Sequence, residues 1–204
     1  MKEAFYMLII LLVFSASNAY AGIEEYLEKY YGVRVSQEQR DRLSQYNELI
    51  EYFCALPYLA NGIEIHPDFI RALIIAESNG DPFAVSPKEA IGLTQIIYTT
   101  GKDAAYAIIN NPDINLEQIP YLNRSQLERF SANNLYDPAV NIMLACYLIA
   151  KYNEDYQGHL DLVISAWNAG PGAITNGQPP EYQETLNLIG KVNGLFRFFL
   201  EENT

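Results

Sequence analysis

Between residues 63 and 95 the apolar pattern first thickens and then breaks up. Pro67 suits the first turn of a helix, where its missing N–H is no loss. Phe69, Ile70, Leu73, Ile74 and Ile75 follow too densely for a surface helix, so the pattern predicts a mostly buried one. Asn79, Gly80, Asp81 and Pro82 stop it, with Gly80 available for a left-handed cap. The helix delivers Glu77 in its last turn, and the loop after it doubles back over the helix.

The rest of the chain reads as helices of ordinary spacing. Residues 23–31 form a short amphipathic helix. Residues 36–55 read as one longer helix, opened by a capping box of Ser36 and Gln39. Its inward stripe is Leu43, Tyr46, Ile50, Phe53 and Cys54, with Glu38, Arg40, Asp41 and Glu48 outside. A helical piece covers 102–110, and short helices are expected at 116–119 and 125–130, within an irregular segment that has Pro112 and Pro120 as breakers. Asp137 and Pro138 open a buried helix over 139–153, as N-cap and first helical position. Further helices are expected over 160–168 and 180–200. No stretch alternates convincingly enough for a strand, so the class is all-α or nearly so.

Composition narrows the picture. Half of the 204 residues are hydrophobic, so the chain is expected to be globular. A formal net charge of −12 speaks against nucleic acid as a partner. Residues 5–14 form an apolar run, short for a bilayer span, and Ala19, Tyr20 and Ala21 make a small-x-small cleavage site. Residues 1–21 are therefore expected to be a bacterial signal peptide. The mature chain would begin at Gly22, without a stable membrane anchor, and its place would be the periplasm or the exterior. The expected division is a signal peptide at 1–21, N-terminal helices at 22–62 packing on a catalytic domain, and that domain at 63–200.

Candidate chemistry centres on Glu77. Apolar neighbours and the negative end of its own helix both disfavour the carboxylate, and a carboxyl kept protonated near neutral pH can act as a general acid. The two cysteines, Cys54 and Cys146, read either as a disulfide, in an exported protein, or as two buried thiols. His66 and His159 are isolated and no ligand cluster accompanies them, so no metal is expected.

Four segments in order carry a resemblance: Glu77 and Ser78; Gly92, Leu93, Thr94 and Gln95; residues 166–170, Ala-Trp-Asn-Ala-Gly; and Glu184 with Thr185. With Pro82, Ala84, Ser86, Ala90, Asp137, Pro138, Asn141, Ile142, Tyr147 and Leu148, this set resembles the catalytic domain of the soluble lytic transglycosylases. Those are lysozyme-like enzymes that cut bacterial peptidoglycan. The resemblance runs from residue 63 to about 192. It departs from the family pattern at Thr94, where Met is usual, at Glu89, where Gly is common, and at Trp167, where Tyr is usual. The segment between Gln95 and Asp137 looks longer than usual, an extra lobe or lid.

What the resemblance implies is a lysozyme-like all-α fold with extra N-terminal helices. It also implies cleavage of the β-1,4 bond between N-acetylmuramic acid and N-acetylglucosamine, with closure of a 1,6-anhydro ring and no cofactor. Glu77 would be the acid. Ser86 and Gln95 would bond the acetamido or neighbouring groups, Tyr147 would bond Glu77 or the acetamido group, Trp167 and Asn168 would line the cleft, and Glu184 would contact sugar hydroxyls. The partner would be peptidoglycan glycan strands. The enzyme would serve wall turnover or a secretion, conjugation or pilus machine, and its small size leans toward the machine-associated type. The alternatives are a lysozyme-type hydrolase on the same scaffold and an inactive glycan-binding member.

Overall fold

The structure is a computed structural model that describes residues 21–59 and 65–202. The expected signal segment up to residue 20, and the expected boundary at 62/63, lie outside the described residues.

Helix α4 (Pro67–Ser78) is the axis of the molecule, with Phe69, Ile70 and Ala72 to Ile75 all essentially shut off from solvent. Pro67 opens it, and Asn79 closes it in the left-handed conformation, φ 56°. Gly80 follows, also at positive φ, so the expected glycine cap is moved one residue earlier, onto an asparagine that tolerates it.

The N-terminal helices are α1 (Ala21–Lys29), α2 (Gln37–Ser44) and α3 (Asn47–Cys54). The helix expected over 36–55 is in fact two. Ser44 Oγ donates to the Asp41 carbonyl and Gln45 Nε2 to that of Arg42, so side chains take up the orphan carbonyls and the chain turns. That turn carries Tyr46 into the core, 5% exposed. The capping box of Ser36 and Gln39 is present with both bonds made. All three helices bury apolar residues in the same core as α4, with α1 on α9, α2 on α4 and α3 on α7.

Downstream lie α5 (Tyr98–Ile109), α6 (Arg124–Glu128), α7 (Pro138–Asp155), α8 (Leu160–Ala169) and α9 (Gln183–Glu202). Asp137 caps α7 by accepting from the Ala139 amide at 2.9 Å. Helix α9 starts at Gln183 because Pro179 and Pro180 hold the preceding chain extended. It crosses α1 closely: a methyl added at Gly190 or Gly194 would lie 2.4 Å from the carbonyl oxygen of Tyr26 or Tyr30. The stretch expected as an extra lobe joins the main core through Ala104, Ile108, Leu116, Leu127 and Leu135.

Sequence periodicity misses several small features, including a 3₁₀ turn at Pro171–Ala173. A 3₁₀ turn spans Ala132–Tyr136, and strands β1 (Ala90–Ile91) and β2 (Ile96–Ile97) pair antiparallel, Ala90 with Ile97 and Ile91 with Ile96. Two residues are too few to show a period of two.

Candidate active site

The loop between α4 and α5 is built on buried polar groups. Asn141, in α7 and fully buried, ties this loop to the 3₁₀ turn before α7. Its Oδ1 accepts from the Thr94 amide at 3.0 Å and the Thr94 hydroxyl at 2.6 Å. Its Nδ2 donates to the carbonyls of Ile91, 3.1 Å, and Leu135, 2.9 Å. Gly92 sits between them at φ 82°, where a Cβ would lie 2.3 Å from the Leu135 carbonyl oxygen. Only glycine satisfies both the dihedral and the space. The Ser78 hydroxyl donates to the Leu93 carbonyl at 2.7 Å, tying the end of α4 to the returning loop. This is the physical content of a Ser following Glu77.

Gln95 is held at φ 56°, outside the ordinary range for a residue with a side chain. Its Nε2 donates back to the carbonyls of Ala84 and Gly92. Ser86 shapes the opposite strand of the loop, its Oγ accepting from the amides of Lys88 and Ala90. Glu89, the residue standing where glycine is common, also has positive φ, 60°.

These pieces surround an open cleft lined by Glu77, Ser86, Lys88, Gln95, Thr100, Tyr152, Trp167, Asn168 and Glu184 among others. The half-buried Glu77 projects from the last turn of α4. The indole N–H of Trp167, from the last turn of α8, donates to Glu77 Oε1 at 2.9 Å. Lys191 of α9 donates from Nζ to the carbonyl of Ala76 at 2.6 Å. Burial raises the Glu77 carboxyl to about 7; the Trp167 hydrogen bond and then the Lys191 charge work against that rise, and Glu184 adds to it. A carboxyl poised there carries a proton at neutral pH and can release it.

The Asn168 Oδ1 accepts from the buried Thr185 hydroxyl at 2.6 Å, which joins the end of α8 to the start of α9. Glu184 is thereby left exposed at the mouth, where it pairs with Lys88 from the loop across the cleft.

Six of the seven site residues expected from sequence line this cleft. Tyr147 does not. Leu148 and Tyr152 line the cleft one helical turn apart, which turns Tyr147 to another face, where its ring meets Tyr58 edge-on at 6.3 Å. The hydrogen-bond donor to Glu77 is Trp167 instead. Residues missed from sequence are Tyr152, Lys88 and Lys191. Tyr152 carries the signal i+4 from Leu148; the two lysines reach the site from elements whose positions only the fold sets. The two cysteines, both buried, share a thiol hydrogen bond with Sγ atoms 3.8 Å apart and form no disulfide.

The profile of the family described as Transglycosylase SLT domain matches residues 58–186. The chain belongs to that family. Two solved structures share the fold of this SLT-domain chain. One is the 70 kDa soluble lytic transglycosylase of Escherichia coli, at TM-score 0.55 and 22% identity, covering 76% of this chain and 24% of that one. The other is an inactive mutant of the lytic transglycosylase Slt of Pseudomonas aeruginosa, at TM-score 0.52 and 20% identity, covering 80% and 24%. The SLT-domain chain thus corresponds to about a quarter of either protein. The architecture is the lysozyme-like, all-α one expected from sequence, with a two-stranded ribbon added.

Proposed function

We propose that this SLT-domain protein is a peptidoglycan lytic transglycosylase with Glu77 serving first as acid and then as base. The observation that carries the reading is the state of Glu77: a half-buried carboxyl at about 7, facing a cleft whose second carboxylate, Glu184, is exposed and paired with Lys88. Ordinary glycosidases set two carboxylates at a fixed separation about the bond. A lone buried carboxyl suits a substrate that supplies its own nucleophile.

Glu77 protonates the leaving oxygen of the bond between N-acetylmuramic acid and N-acetylglucosamine, and the 2-acetamido group stabilises the cation that develops. The carboxylate left behind takes the proton of the C6 hydroxyl as that oxygen bonds C1. One C–O bond breaks, one forms, Glu77 ends protonated, and water is not consumed. Gln95, Ser86 and Asn168 border the same space and would bond the acetamido and hydroxyl groups, with Trp167 forming an apolar wall.

We place the reaction in the periplasm. The apolar run at 5–14 and the Ala-Tyr-Ala at 19–21 support export, and a mature N-terminus at Gly22 checks it.

The test is product analysis of digested sacculi. The reading expects 1,6-anhydro ends, one water lighter than hydrolysis products and inert to borohydride. Reducing ends in their place would mean a hydrolase, and sacculi left intact would mean a glycan-binding member.

A further inference from the structure

We propose that Lys191 is a positioning residue whose ammonium holds Glu77 ready to carry a negative charge between the two proton transfers; this rests on the reading above. Lys191 belongs to α9, lies behind the residues that line the cleft, and meets α4 at its last turn.

The geometry is specific. The last carbonyls of a helix lack intrahelical partners. Here the amide of Gly80, which would close the next turn on Ala76, donates to Ser78 Oγ instead. Lys191 Nζ takes the Ala76 carbonyl at 2.6 Å. Ala76 is 9% exposed and immediately precedes Glu77, so the cation is fixed on the peptide that carries the acid.

The surroundings explain why a fixed cation is needed there. Glu77 lies at the negative end of α4, and Trp167 brings the negative end of α8 to the same place. From α8 it receives only the neutral indole N–H. From α7 the cleft receives the Tyr152 phenol. From α9 come Glu184, which opposes ionisation, and Lys191, which favours it. Lys88 approaches from the loop but is paired with Glu184 at the exposed mouth, where screening weakens it. Lys191, half-buried and bonded to the helix itself, is the cation positioned to act on the anion that forms when Glu77 gives up its proton.

The experiment separates charge from hydrogen bond. Lys191→Gln keeps a donor for the Ala76 carbonyl and removes the charge; Lys191→Arg keeps both; Lys191→Met removes both. The Glu77 carboxyl is titrated directly by ¹³C NMR in folded protein without substrate, and kcat and KM are measured separately on sacculi. The expectation is a Glu77 midpoint about one pH unit higher in Lys191→Gln, a fall of about tenfold in kcat with KM little changed, and recovery of both in Lys191→Arg. Lys191→Met should titrate at least as high as Lys191→Gln. A Lys191→Gln protein whose Glu77 titrates as in the parent overturns the proposal, even if its kcat falls. Because the titration needs no turnover, its result stands apart from whether the parent cleaves peptidoglycan at all.

Discussion

The indole N–H of Trp167 meets the carboxyl of Glu77 at 2.9 Å, each presented by the final turn of its own helix. Two helices that are distant in sequence thus end at one point and exchange a single hydrogen bond there. Tyr is the residue that the resemblance leads one to expect at this place. Trp keeps a donor and broadens the apolar wall, at the loss of an acceptor.

That contact predicts the effect of removing it. A hydrogen bond to the ionised form lowers a carboxyl pKa, so Trp167→Phe should raise that of Glu77 and weaken it as an acid. A bond of this kind contributes about 1.5–3 kcal/mol, so kcat should fall by about tenfold or more, with the alkaline limb of the pH profile moved upward. Trp167→Tyr, which can donate again, should recover much of the loss. An unmoved limb in Trp167→Phe would show the bond to be structural only.

Glu77 should oppose folding above neutral pH. Its carboxyl lies near 4.5 when exposed and near 7 in the fold, so the folded state holds its proton the more tightly. The stabilisation from that proton is complete below 4.5 and is lost as pH rises through 7. Glu77→Gln keeps an acceptor for Trp167 and cannot ionise. It should lack clearing activity and be more stable than the parent by up to about 3 kcal/mol at pH 8, with the difference vanishing near pH 4.5. Melting curves at both pH values check this, and a pH-independent difference would contradict it.

Glu89 sits at φ 60° on the exposed side of the loop, in a conformation that a side chain disfavours. Glu89→Gly should therefore stabilise the protein by about 1 kcal/mol with activity retained. Urea denaturation would show the gain; a loss of stability would mean that the side chain makes a compensating contact.

Asn141 makes four hydrogen bonds with no solvent near it. Asn141→Leu should cost about 3 kcal/mol or more by leaving its partners in the loop and in the 3₁₀ turn unpaired. Because the loop carries Gln95, KM should rise in whatever protein still folds. A variant as stable as the parent would show that the loop holds its shape without the amide.

The sulfurs of Cys54 and Cys146 lie 3.8 Å apart, and burial pushes the Cys146 thiol well above its usual range. Native protein should resist iodoacetamide under conditions where unfolded, reduced protein takes up two equivalents. Refolding with glutathione disulfide as oxidant should cross-link α3 to α7 and stabilise the fold by up to about 4 kcal/mol in the chain-entropy model. Two alkylated thiols after that refolding would show that the helices hold the pair apart.

Much of this molecule was legible along the chain because the relevant physics is local. The dense apolar run at 69–75 could only be a buried helix, Asp137 and Pro138 could only open one, and the resemblance marked Glu77, Ser86, Gln95, Trp167, Asn168 and Glu184, which the structure gathers around one cleft. Local signals failed where side chains compete with the backbone, as at Ser44 and Gln45, and where an element is too short to have a period, as at β1 and β2. The resemblance led to Tyr147, which lies on another face: the hundred-degree step between neighbours on a helix decides which face meets a cleft, and that face is set by the packing of α7.

What the sequence determined by itself was most of the helices and the carboxyl that ends α4, because capping, periodicity and glycine placement act between neighbours in the chain. What the tertiary structure alone decided was the environment of that carboxyl. Trp167, Lys191 and Glu184 stand 90 residues or more from Glu77, and burial, hydrogen bonding and charge depend on distances through space that no spacing in the chain records.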